Sequence, residues 1–111
     1  MVPSDATAFH FGAYQDGTLI ATGSLFREGA SRQLRKLATL PQYQNAGHGT
    51  ALIRHLIAHA KAENTDRIWC DARVSAVGFY EKVDFHSFGP IFKKKGRPYQ
   101  RMQIALSLGA P

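Results

Sequence analysis

Cysteine is almost missing from this chain: Cys70 is the single thiol among 111 residues, so no internal disulfide can form. Chains without disulfides suit a reducing compartment, and the expected location is cytoplasmic. Long apolar runs are missing too. None approaches the roughly 20 residues of a membrane-spanning helix. Met1-Val2-Pro3-Ser4-Asp5 has neither the basic start nor the apolar core of a signal segment. No membrane partner is expected. Acidic residues are scarce, 8 against 14 lysines and arginines, which leaves a net charge of +6 and suggests an anionic partner. Nucleic acid is not favoured, because the basic residues are spread over several segments. Neither an RNA-recognition signature nor a zinc-finger spacing accompanies them. Repeats, linkers and low-complexity segments are also absent, so residues 1–111 are expected to form one domain around one core.

What is present is a run of alternating and helical patterns. Phe9, Phe11 and Ala13 alternate with His10, Gly12 and Tyr14, and the pattern resumes from Leu19 to Phe26. The Asp16-Gly17 pair between them is a strong hairpin signal. Glu28-Gly29-Ala30-Ser31 reads as a second turn. A third strand follows from Arg32 to Leu40, its imperfect alternation suggesting a bulge, and Pro41 ends it. From Thr50 the period becomes helical, with Leu52, Ile53, Leu56, Ile57 and Ala60 on one face. Asn64 is the expected stop. Arg67-Ile68-Trp69-Cys70 reads as a short strand, and Ser75 as the cap of a second helix through Ala76, Phe79, Tyr80 and Val83. Phe85 to Phe88 is extended, Gly89-Pro90 turns, and Tyr99 to Leu106 is the last strand. The expected fold is a mixed α/β sandwich of order β-β-β-α-β-α-β-β.

The most informative stretch is Gln44-Asn45-Ala46-Gly47-His48-Gly49-Thr50, between a strand and a helix. The first N–H groups of a helix have no internal partner and lie at the positive end of its dipole. Glycine lets a ligand approach the backbone with no Cβ in the way. A phosphate group is the natural occupant. The P-loop is excluded, since Gly49 is followed by Thr50 and not by lysine.

Gln44-x-x-Gly47-x-Gly49 resembles the phosphate-binding signature of the GNAT superfamily of N-acetyltransferases, and Ala76-Val77-Gly78-Phe79-Tyr80-Glu81-Lys82-Val83-Asp84-Phe85 is similar to its later helix motif. The resemblance covers about residues 7 to 106 and implies a GNAT-like, mostly antiparallel sheet flanked by helices. It implies acetyl-CoA as co-substrate and no metal. The amine acceptor would be a small molecule or peptide. Leu37, Ala38 and Thr39 would face the pantetheine arm, and Gln44, Asn45, Ala46, Gly47, His48, Gly49 and Thr50 the pyrophosphate. Tyr80 would protonate the leaving thiolate; a phenol with pKa near 10 is a plausible donor and a poor base. A backbone N–H among residues 37–39 would meet the charge that develops on the acetyl oxygen.

Three departures from the family pattern stand out. The usual leading strand and two helices do not appear ahead of Thr7, which predicts a homodimer that covers the exposed edge from Thr7 to Tyr14. Asp84 replaces a glycine before Phe85 but tolerates left-handed backbone. No acid lies in Arg32-Gln33-Leu34-Arg35-Lys36-Leu37, so Asp71 and His10 are the only candidates for a base. That gap keeps a non-catalytic CoA-binding module as the alternative, with a basic nucleic-acid-binding domain behind it. His48, His55 and His59 read as a solvated edge and not a zinc site, Cys70 as a buried strand residue, and Lys93-Lys94-Lys95-Gly96-Arg97 as a solvated hairpin loop.

Overall fold

Left-handed backbone at both Asp16 and Gly17, φ 51° and 81°, reverses the chain in two residues. It joins β1 (Ala8–Gln15) to β2 (Thr18–Glu28) as an antiparallel hairpin. Gly29, at φ 60°, makes the second reversal into β3 (Ser31–Thr39). This is a computed structural model, and it describes residues 8–106. The ends of the expected domain, the Met1–Asp5 segment and Thr7 lie outside the described residues.

The expected bulge is in β3. Thr22 pairs with Ala38 but Ser24 with Arg35, so two β3 residues oppose the single Gly23. Lys36 takes the strain in left-handed backbone, at φ 60°. The bulge changes the parity of the strand: Leu34 points into the core before it and Leu37 after it. Gly23 leaves room here. A Cβ on it would come within 3.2 Å of both Leu37 and Leu56. Without one, α1 (His48–Ala62) seats closely on β2. The buried stripe of α1 is Leu52, Ile53, Leu56 and Ala60. Asn64, at φ 59°, stops the helix as expected.

The chain then enters β4 (Arg67–Arg73), α2 (Val77–Lys82), β5 (His86–Ser87), β6 (Phe92–Lys94) and β7 (Arg97–Ala105). Strand order in the sheet is β1-β2-β3-β4-β7-β5, with β6 also on β7. Among the described residues only β3 and β4 run parallel. Ile68, Cys70 and Ala72 of β4 join Leu25, Ile53, Leu56, Tyr80, Phe85 and Met102 in one core, so both helices cover the same face. Among the described residues no helix is long and apolar enough to cross a membrane.

Two local expectations need correction. Ser75 does not cap α2. It lies inside a 3-10 turn, Val74–Ala76, and Ala76 is the residue before the helix, so its hydroxyl sits one position too early. Three strands, not two, follow α2. Lys95 and Gly96 both take left-handed backbone, φ 52° and 77°, and fold residues 92–94 back on β7. Its lysines gave it the look of a loop, yet an edge strand with one wet face tolerates them well. Asp84, at φ 73°, makes its expected turn.

Candidate functional site

The sheet opens where β3 leaves β4. Ser31, Arg32 and Gln33 pair with Arg67, Ile68 and Trp69, and the pairing ends there. Beyond it, β3 keeps β2 on one side and has no ladder partner on the other. Backbone groups of residues 37–39 on that free edge are available to an extended, amide-bearing ligand, as an added strand would use them.

On the helix face this split widens into a cleft of about 1020 Å³. Leu37, Ala38 and Thr39 form one wall, and the turn of Gln44, Asn45, Gly47, Gly49 and Thr50 closes its end. Gln44 Nε2 donates to the Thr39 carbonyl at 3.0 Å, which ties the turn to the strand. Asn45 and Gly47 both have left-handed backbone, φ 62° and 88°. Gly47 is the N-cap of α1, and no side chain satisfies the first helical N–H groups. No acidic residue stands in the first turn to compete for them. This end of the cleft therefore offers an anion unpaired backbone dipoles and no competing side chain. The residues fit a pyrophosphate. A Cβ on Gly49 would touch Phe79 and Thr39 at 3.5 Å, so a larger side chain there would occupy the cleft.

The opposite wall comes from β4 and α2. Tyr80 lines it, only 9% exposed, with T-shaped contacts to Phe79 at 5.1 Å and Phe85 at 5.4 Å. Burial pushes its phenol well above the usual range, and the neighbouring Cys70 thiol adds to the rise. Tyr80 is thus protonated at neutral pH. Burial also raises Cys70, to about 12, helped by the charge of Asp71, while the nearby Tyr80 hydroxyl offsets part of the rise. A thiol held that high is no nucleophile, in line with its reading as a buried strand residue.

Of the residues expected at the site, the cleft gathers all but Ala46 and His48. His48 turns its ring against Tyr43, 5.8 Å away, and Ala46 is an exposed turn residue. The wall also contains Tyr43, Arg73, Ser75, Gly78, Phe79 and Lys82, which sequence reasoning missed. One signal pointed to Arg73 and Ser75. Parallel strands end at the same side of a sheet, so the loop after β4 must face the loop after β3. A smaller hollow of about 340 Å³ lies at the far end of α1, between the β2–β3 turn and Glu63-Asn64.

The base candidates are both engaged. Asp71 is held by Arg101, and His10 Nδ1 is 2.7 Å from Ser24 Oγ. His55 and His59 pack against Phe11, with His59 also on Phe9.

An acetyltransferase (GNAT) domain model matches residues 1–106. The chain belongs to the GNAT acetyltransferase family. YitI, an uncharacterized N-acetyltransferase of Bacillus subtilis, is 32% identical over 96 residues, covering 80% of this chain and 64% of its own. The chain therefore spans under two thirds of that relative. The fold is shared with two solved structures. A ribosomal-protein alanine N-acetyltransferase of Escherichia coli superposes with TM-score 0.82 at 24% identity, over 94% of this chain and 72% of that one. An aminoglycoside N-acetyltransferase solved with coenzyme A gives 0.83 at 13% identity, over 95% and 76%.

Proposed function

We propose that this chain binds acetyl-CoA and passes its acetyl group directly to the amine of a small molecule or peptide. The observation that carries this reading is a single cleft joining the free edge of β3, the glycine turn and Tyr80. The family membership supports it, as does the coenzyme A seen in the aminoglycoside enzyme.

Each part of the cleft has a task in that reaction. The N–H groups at the start of α1 hold the pyrophosphate. Leu37, Ala38 and Thr39 hold the pantetheine amides, and a backbone N–H among them faces the charge developing on the acetyl oxygen. The attacking amine forms its C–N bond as the C–S bond breaks. Tyr80 gives its proton to the departing sulfur. The amine's own proton leaves to water, since among the described residues no carboxylate lines the cleft. The chain acts as a homodimer, because β1 is an exposed sheet edge and its Tyr14 is 69% exposed. We place it in the cytoplasm.

The test has two arms. A thermal shift with acetyl-CoA reports the cleft, and thiol release across a panel of amines reports the transfer. Absence of the shift sinks the cofactor assignment. The missing carboxylate favours one other reading, a non-catalytic CoA-binding module. It predicts the shift without thiol release from any amine.

A further inference from the structure

The sheet's other face, bare of the two helices, carries a cluster of a different kind at the same split. Trp69 is the last β4 residue paired with β3. Asp71 follows it on that face, in the part of β4 that has left β3. Cys70, between them, turns the opposite way into the core beside Tyr80. One strand's thickness thus separates this cluster from the proposed acid.

Arg101 lies directly across from Asp71 in the β4–β7 register. Its Nε and Nη2 donate to the two carboxylate oxygens at 2.7 and 3.2 Å. The guanidinium also lies 4.5 Å over the Trp69 ring and 5.9 Å from Phe92. Trp69 is itself anchored, with Nε1 donating to Glu28 at 3.2 Å. Lys94 Nζ approaches Asp71 to 4.0 Å and sits 4.8 Å over Tyr99, which stacks on Phe92. The carboxylate of Asp71 is 12% exposed, but Arg101 remains 42% and Lys94 52% exposed.

A guanidinium has five N–H donors in one plane. Asp71 takes two of them, and among the described residues the others have no side-chain or backbone partner. Pinned by the bidentate pair and flattened on an indole, Arg101 loses little freedom on gripping a second carboxylate. The local balance also favours an anion. By strand alternation Lys94, Arg97 and Arg101 share this face of the β6–β7 hairpin, against Asp71 and Glu28.

We propose that the acceptor is a carboxylate-bearing amine, an acidic amino acid or acidic peptide, whose carboxylate is gripped by Arg101 and Lys94 over Trp69 while its amine reaches the split. Asp71 is a positioning residue that aims Arg101. The proposal rests on the acetyltransferase reading given above. It also gives the β6–β7 hairpin a role beyond that of a solvated loop.

Thiol release is measured with three tetrapeptides that differ only in an acidic, neutral or basic second residue, and with free glutamate, glutamine and lysine. The acidic members should lead their neutral counterparts by about tenfold in kcat/KM, the worth of one charge-assisted hydrogen bond. Arg101→Gln and Lys94→Gln should each shrink that lead through KM, and Arg101→Lys should restore part of it. Added salt should shrink it as well. Equal use of all acceptors, preference for the basic ones, or a lead that survives both substitutions overturns the proposal. So does absence of turnover with every acceptor while the acetyl-CoA thermal shift persists. Loss of that shift in the unaltered protein refutes the cofactor reading instead.

Discussion

The two faces of the sheet at the β3–β4 split solve recognition by different means. On the helix face the proposed acetyl-CoA would meet backbone: free strand edge, left-handed turn, helix N-terminus. On the bare face the proposed acceptor would meet side chains: Trp69, Asp71, Lys94 and Arg101. Backbone recognition depends on fold and on a few glycines, and it suits a ligand that stays the same. Side-chain recognition changes with single substitutions, and it suits a ligand that sets one member of a family apart from another.

The largest break in this contrast comes from Tyr80, the side chain on the helix face proposed as the acid. Tyr80→Phe should lower kcat by about a hundredfold or more, the usual scale of a positioned acid. The acetyl-CoA thermal shift should persist, and an unchanged kcat would remove Tyr80 from the mechanism. Next is the packing that shapes that face. Gly23→Val should destabilise the protein by about 1–3 kcal/mol in urea unfolding, since its side chain would collide with Leu37 and Leu56. Equal midpoints would show that α1 is not held closely on β2. A smaller effect belongs to Gly47. With φ at 88°, Gly47→Ala should cost roughly 1–2 kcal/mol and weaken acetyl-CoA binding measured by calorimetry; unchanged affinity and stability would remove Gly47 from the turn's role.

The subtlest measurement links the two faces. Cys70 and Tyr80 are both raised in the folded chain, so the unfolded chain loses these protons first as pH rises. Their contribution is complete below about pH 9 and declines from there as pH rises toward 12, the folded value of Cys70. Urea midpoints should therefore fall from pH 8.5 to 10.5, with a slope of up to about 1.4 kcal/mol per pH unit for each group. Cys70→Ala should flatten that slope. Because Asp71 on the other face contributes to the rise of Cys70, Asp71→Asn should flatten it slightly too. No change in slope with either variant would mean that burial here does not protect the thiol.

The helix face was legible in the sequence because its parts are local. Gln44 to Thr50 is one contiguous turn, and the stripe of Leu52, Ile53, Leu56 and Ala60 has a plain helical period. Phe79 and Lys82 were not legible, since a cleft wall is assembled by the crossover that brings β4 beside β3. Arg101 was hidden for the same reason: its partner Asp71 lies 30 residues away, and only the β4–β7 register joins them. The β6 strand was hidden by composition. Lys93 and Lys94 carry no apolar alternation, and its pairing depends on a turn of two left-handed residues.

Among the described residues the backbone ladder between β3 and β4 has only three paired positions. On one side of that seam stands the ladder of β1, β2 and β3, and on the other β4, β7, β5 and β6. Each side is antiparallel throughout, and the seam is where the backbone ladder is shortest between its two long halves. A strand-like ligand laid into the split would supply rungs that the chain does not make for itself. Slowed amide hydrogen exchange would then spread from residues 34–39 into both ladders, and the substrate would count among the structural members of the sheet.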